Sequence, residues 1–322
     1  MRTRLTEILG VEHPVMLAGM GGVSYHQLVA AVSQAGGFGC LGASTMSSAA
    51  MVDEIAATRA LTDKPFGVDL LTAMPEEMVA NVEKIIAGGA QVFVAGLGVP
   101  LEVIELCHAH NVLVVNMCGR VRHAVAAVEA GCDIVVAQGT EAGGHTGQIA
   151  TLPLVPQIVD AVGDRVPVVA AGGIYDGRGL AAALALGADG VWVGTRFIAT
   201  PEARAVAGYK DTLLHTAEDG TVVTRGYSGK TMRAIRNDYT REIEEHPEML
   251  QPFPAQLFAS VAAGVFHLGG DADTAGVDPD RECYPAGQAV GGIDALVPAG
   301  DLVHRFVAEA ETVITRLAAV SA

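Results

Sequence analysis

Along the first 200 residues, short β-branched apolar runs alternate with Ala-rich amphipathic stretches. Eight runs begin near Val15, Gly37, Phe66, Gln91, Leu113, Ile134, Val166 and Gly190, about 21 to 32 residues apart. That interval holds one strand, one helix and two short loops. The runs are nearly unbroken, as in Phe66-Gly67-Val68, Val112-Leu113-Val114-Val115, Ile134-Val135-Val136, Val166-Pro167-Val168-Val169 and Val191-Trp192-Val193. Strands buried on both faces read this way, which predicts a parallel sheet covered by helices.

Helix punctuation falls between the runs. Ser24 is placed to cap a helix reaching Ala35, with Gly36-Gly37 as its stop. Pro75-Glu76-Glu77 suits a first turn, and Gly88-Gly89 its end. Asp176 suits an N-cap for a helix through Leu186, ended by Gly187. Eight such units predict an α/β fold, a (β/α)8 TIM barrel. An open doubly wound sheet is the alternative, and eight units of similar length favour the barrel.

After Thr195 the pattern changes. Residues 201–292 are more polar, show no clear strand beyond Thr221 to Thr224, and carry a charge-rich stretch from Arg233 to Glu248. They predict a mostly helical insertion over the barrel mouth. Asp301 to Leu317 returns to an amphipathic helical pattern. The expected organisation is therefore a barrel over 1–200, an insertion over 201–292, and a C-terminal helix within 293–322 that packs back on the barrel. At about 150 residues per domain, 322 residues suggest two domains, but α/β barrels exceed that size as one unit.

Composition narrows the function. Half of the residues are hydrophobic, which excludes a disordered chain. The net charge is −16, and the longest basic stretch, Arg225 to Arg236, holds only four cations in twelve positions. That disfavours a nucleic-acid partner, which needs clustered Lys and Arg. Five dispersed cysteines without a CxxC pair suit reduced thiols in a cytoplasmic protein. No run approaches the roughly 18 apolar residues of a membrane span, and Met1-Arg2-Thr3-Arg4 does not open a signal peptide. Cys107-His108-Ala109-His110 has no second cluster to complete a metal shell, so no metal is expected.

The chemistry should sit at the C-terminal ends of the strands, where the βα loops gather. The first end, Ala18-Gly19-Met20-Gly21-Gly22, lets backbone approach a flat ligand. The third ends in Asp69, an acid too costly to bury unpaired and ionised. The sixth, Gln138-Gly139-Thr140-Glu141-Ala142-Gly143-Gly144-His145-Thr146-Gly147, sets one imidazole among glycines. His145 can exchange a proton near neutral pH. The seventh and eighth ends, Ala171-Gly172-Gly173-Ile174 and Val193-Gly194-Thr195-Arg196, form the pair of Gly-rich loops that cradle phosphate in such barrels.

Gly37-Phe38-Gly39-Cys40-Leu41-Gly42 matches GxGxxG but follows a helix and reads as a strand, so it lacks the dinucleotide context. Walker A, HExxH and GxSxG patterns do not occur. A phosphate cradle, a glycine floor and one histidine suit FMN, a sugar phosphate or pyridoxal phosphate. No Lys stands at a strand end to form a Schiff base. Only Asp69 and Glu141 supply acids of the kind sugar-phosphate enzymes gather. FMN remains the best ligand.

These segments resemble the nitronate monooxygenase family, once called 2-nitropropane dioxygenases, and its flavin-dependent enoyl- and quinone-reductase relatives. The likeness includes His13-Pro14, Ala35-Gly36-Gly37-Phe38-Gly39 and, in the insertion, Thr224-Arg225-Gly226-Tyr227-Ser228-Gly229-Lys230, Arg233 to Asn237 and Gly287-Gln288-Ala289-Val290-Gly291. Its most specific piece is Glu141 to Gly147. The resemblance implies noncovalent FMN, with Gly19, Met20 and Gly144 lining the flavin ring and Gln138 bonded to it. It places Gly172, Gly173, Gly194 and Thr195 on the phosphate, with Gln288 approaching from the insertion. It also makes His145 the catalytic base or substrate-orienting residue. Relatives often carry Asn where this chain has Asp69, near the flavin. Ionised, Asp69 would repel a nitronate and an anionic reduced flavin; protonated, it would not.

The expected activity is FMN-dependent oxidation of alkyl nitronates with O2 to a carbonyl product and nitrite. The alternative is NAD(P)H-dependent reduction of a quinone or an enoyl thioester. A non-catalytic flavin-binding protein is a third reading, and it leaves His145 without a role. Oligomeric state is not readable from the pattern.

Overall fold

The computed structural model describes residues 1–70, 75–96 and 98–320, the side chains of 75 and 76 excepted. The expected first-turn side chains at Pro75 and Glu76, and positions 321 and 322 of the expected C-terminal unit, therefore lie outside the described residues. The eight apolar runs form eight parallel strands, numbered here β1 (Val15–Leu17), β2 (Gly39–Gly42), β3 (Phe66–Asp69), β4 (Val92–Ala95), β5 (Leu113–Cys118), β6 (Ile134–Gln138), β8 (Val168–Ala171) and β9 (Gly190–Val193). A two-residue strand, β7 (Gly144–His145), intervenes after the sixth.

The strands pair in the order β1-β9-β8-β6-β5-β4-β3-β2, and a parallel bridge between Met16 and Phe38 joins β1 to β2. The ring is a TIM barrel. Its inward side chains, among them Met16, Val94, Val136, Val169 and Trp192, form one cluster, and Leu5 and Leu9 of α1 (Arg4–Leu9) join it. The alternate residues, such as Val15, Val135 and Val193, face the helices in a second cluster. Burial on both faces explains the unbroken apolar runs.

The surrounding helices are α2 (His26–Gln34), α3 (Ser48–Leu61), α4 (Pro75–Ala87), α5 (Leu101–Ala109), α6 (Val121–Ala130), α7 (Thr151–Val162) and α8 (Gly177–Ala185). Asp176 caps α8 by accepting from the N–H groups of Arg178 and Gly179. Ser24 does not cap α2. Tyr25 takes the N-cap position, and the Ser24 hydroxyl donates to Ala18 O and accepts from Met20 N. It braces the loop after β1 instead.

After a single turn, α9 (Thr195–Ile198), the chain enters the insertion. This carries α10 (Tyr209–Leu214), β10 (Thr221–Thr224), β11 (Met232–Ile235), α11 (Asp238–Glu245) and α12 (Ala255–Ala262). The strand β11 has no counterpart in the sequence reading, because Arg233 interrupts its apolar pattern. Its guanidinium is buried and donates to Thr140 O and Thr221 Oγ1. The antiparallel sheet β10-β11-β7 ties the insertion to the loop after β6. Finally α13 (Ala299–Val320) packs on α8 and α2, buries Leu302, Phe306 and Ala310, and completes the helical ring. No described helix is long and apolar enough to cross a membrane.

Candidate active site

Barrel order makes neighbours of the four strand ends that carry Gly-rich loops: β1, β9, β8 and β6. Register levels them. Gln138 pairs with Ala171, Gly139 N donates to Ala171 O, and Ala18 N donates to Val193 O. Above them lies a cavity of about 340 Å3, a size suited to a small ligand. Met117 and Trp192 of the barrel interior reach its floor, together with Met20 from the loop after β1.

Glycine is required at specific points of this wall. A Cβ on Gly19 would overlap the Asp69 Cβ and lie 2.8 Å from Oδ2. Gly172 and Gly173 have φ of 106° and 74°, a region that favours glycine. A Cβ on Gly172 would also lie 2.7 Å from Thr151 Oγ1. Among the described residues, no protein acceptor meets the N–H groups of Gly173 or Thr195. Left-handed glycines with free N–H groups form a concavity that attracts an anion. Thr195 Oγ1 itself accepts from Gly287 N at 2.9 Å, which ties the insertion to this end of the cavity.

His145 sits on β7 at the opposite side of the loop after β6. Gln138 Nε2 donates to His145 O at 2.7 Å, and β7 pairs with β11. The ring Nε2 lies 2.9 Å from Ser228 Oγ, which leaves Nδ1 for a ligand. The residue is exposed toward the cavity, with Ser228 and Lys230 beside the ring. Desolvation by these surroundings, and then the Lys230 ammonium, lower its pKa. The ring is therefore held neutral at pH 7, the state a base needs. Glu141 lines the cavity as well, with its carboxylate engaged. Its Oε2 accepts from both N and Oγ1 of Thr151, at 2.8 Å each, and steadies the start of α7.

Asp69 ends β3 beneath Gly19, with its carboxyl lining the same cavity. Desolvation by burial pushes its pKa up to about 8. The group is a neutral acid at pH 7, so like-charge repulsion of an anionic ligand sets in only above about 8. The sign for stability follows. The folded state holds this proton where the unfolded chain has lost it, so the contribution falls as pH rises from about 4 through about 8. We expect Asp69→Asn to flatten that decline, so its melting temperature should gain on wild type between pH 6 and pH 9, by a few degrees. Parallel melting curves at both pH values would disprove the neutral assignment.

The chain matches the family model for nitronate monooxygenase over residues 2–88 and 72–309. A relative from Staphylococcus haemolyticus named "Probable nitronate monooxygenase" is 35% identical over 299 residues, 79% of this chain and 83% of the relative. The chain belongs to the nitronate monooxygenase family. A Rhodococcus jostii (strain RHA1) protein is 41% identical over 249 residues, 77% of this chain and 70% of its own length. It is named (3aS,4S,5R,7aS)-5-hydroxy-7a-methyl-1-oxo-octahydro-1H-indene-4-carboxyl-CoA dehydrogenase. Among solved structures, FabK from Thermotoga maritima superposes with a TM-score of 0.88 at 33% identity over 99% of both chains. Nitroalkane oxidase from Streptomyces ansochromogenes does so with 0.83 at 31% identity, over 97% of this chain and 99% of its own. The protein is thus an enzyme of a flavin-dependent oxidoreductase family.

Gly19, Met20, Asp69, Gln138, Gly144, His145, Gly172, Gly173, Gly194 and Thr195 all line the one cavity. Gln288 does not. Its side chain is exposed, its backbone N–H donates to Glu141 O, and its neighbours Gly287 and Ala289 reach the cavity instead. A second histidine escaped the sequence reading. His267 lines the same cavity, and its Nδ1 lies 2.6 Å from Oε2 of Glu282, whose side chain is 1% exposed. The pattern His267-Leu268-Gly269-Gly270 repeats the histidine-and-glycine chemistry of the sixth strand end and marks the place. Glu282 has no such marker.

Proposed function

We propose that the enzyme binds FMN noncovalently and oxidises an alkyl nitronate with O2 to a carbonyl product and nitrite. The observation that carries this reading is the placement of His145 and Asp69 on the wall of one glycine-lined cavity, where desolvation favours the uncharged form of each. At the Asp69 wall an anionic substrate meets an acid in its uncharged form.

The residues fit FMN. Gly172, Gly173, Gly194 and Thr195 would hold its phosphate through backbone N–H groups that have no protein acceptor at Gly173 and Thr195. Gly19, Met20 and Gly144 would line its ring, since a Cβ at Gly19 would fill the space beside Asp69. Gln138 spends its amide N–H on His145 O and keeps Oε1 to accept a hydrogen bond. Bound FMN would supply the electron transfer. The chain's own part is to exclude water with the insertion and to hold a proton-accepting nitrogen, His145 Nδ1, at the cavity wall. With a neutral nitroalkane, Nδ1 would take the proton from carbon. With a nitronate, the ring would orient the substrate.

The second reading is an NAD(P)H-dependent reductase of a quinone or an enoyl thioester. The 41% identity to a protein named as a CoA dehydrogenase and the superposition on FabK favour it. Purified protein should be yellow. Under anaerobic conditions, bleaching by a nitronate but not by NADH or NADPH supports the first reading; rapid bleaching by either nucleotide supports the second. Colourless protein that takes up no added FMN rejects both.

A further inference from the structure

A second cavity of about 640 Å3 opens beside the first. The two share Gly96, Met117, Gln138 and His145 as a common wall. Away from that wall, the second cavity is lined by Arg120, His123 and Lys230, and no carboxylate faces it among the described residues. This is against the character of the chain, which has 36 acids and 20 Lys and Arg. Among the described residues, neither Arg120 nor Lys230 forms an ion pair. Lys230 instead rests its ammonium 4.1 Å from the centre of the Phe253 ring.

Cations left without counter-charge in a concave wall focus positive potential into it. A guanidinium matches phosphate oxygens in a two-point fork, and an ammonium adds a point charge. Much of the remaining lining is small, including Gly98, Gly119, Ala126, Ala127 and Gly147. A Cβ on Gly119 would meet nothing closer than 3.7 Å, so there is room along this wall for an extended chain.

We infer that this second cavity binds the phosphorylated, nucleotide-bearing tail of an organic substrate whose reactive end passes Gln138 to reach His145. A small alkyl nitronate would not fill it, so the tail belongs to the second, reductase reading. Two carriers share the required chemistry: a coenzyme A thioester and a nicotinamide dinucleotide. The inference rests on the flavoenzyme reading, because the reactive end must enter the cavity that would hold FMN. It does not depend on which carbon atom reacts.

The test uses the flavin-loaded, full-length enzyme and follows binding by the change in flavin absorbance. The probes are coenzyme A, NADPH and pantetheine, which lacks the nucleotide and phosphates. Coenzyme A, NADPH or both should bind, and Arg120→Glu and Lys230→Ala should each weaken that binding about tenfold, the worth of one charge-assisted contact. The gap should narrow as salt rises. Pantetheine should not distinguish the variants from wild type, and Arg120→Lys should recover part of the loss. Flavin content and spectrum report that each variant is folded. A response to coenzyme A alone assigns the tail to a thioester substrate, and a response to NADPH alone assigns it to the reductant. Flavin-loaded wild type that binds neither, or variants that bind as tightly as wild type, overturns the inference. Protein that takes up no flavin sinks the underlying reading and the inference with it.

Discussion

Replacing His145 by alanine is expected to lower turnover by about 10²- to 10⁴-fold, the usual range for losing a positioned acid–base group. Flavin content should be nearly unchanged, because the ring contributes no contact at the Gly172 and Thr195 end of the cavity. The reason for a large effect is positional. Gln138 fixes the His145 backbone, Ser228 fixes Nε2, and desolvation with Lys230 keeps the ring neutral. The ring is thus positioned and neutral before substrate arrives. The pH profile gives a sharper reading than the rate alone. With a neutral nitroalkane, activity should rise through the depressed His145 pKa on the acid side and plateau at neutral pH. That limb should vanish in His145→Ala. Full activity on nitroalkane, nitronate and thioester substrates in the variant would remove His145 from the mechanism.

Gly19→Ala should produce the other large effect, a loss of flavin rather than of chemistry. The added methyl would collide with the Asp69 Cβ, an atom anchored directly to β3 and unable to swing away. The loop after β1 must therefore shift, and with it Met20. Overpacking of this kind typically costs about 1–3 kcal/mol. The expected result is soluble protein with at least tenfold weaker FMN affinity, measured by absorbance after gel filtration. Gly119→Ala, with no atom nearer than 3.7 Å to the new methyl, serves as the control and should keep its flavin. Equal flavin content in the two variants would show that Gly19 does not face the ring.

Local pattern decided the barrel, because burial on both faces imposes continuous apolar runs and helix ends impose Gly, Pro and Asp at set places. It also decided which loops border the cavity, since a polar or glycine residue directly after such a run stands at the strand's end. Ten of the eleven residues that this pattern and the family resemblance together mark as site-forming line one cavity. Tertiary structure decided the rest. Gln288 turns outward because its backbone, not its amide, is used against Glu141. Ser24 braces the first loop because Ala18 O and Met20 N come within its reach, which no helix-capping rule foresees. Arg233 hides a strand because its charge breaks the pattern while distant carbonyl and hydroxyl groups satisfy it. His267 with Glu282, and Arg120 with Lys230, meet only when irregular loops fold over the mouth. The protonation of Asp69 is of the same kind. A sequence names the carboxyl, but only the packed surroundings set its desolvation, and desolvation sets its charge.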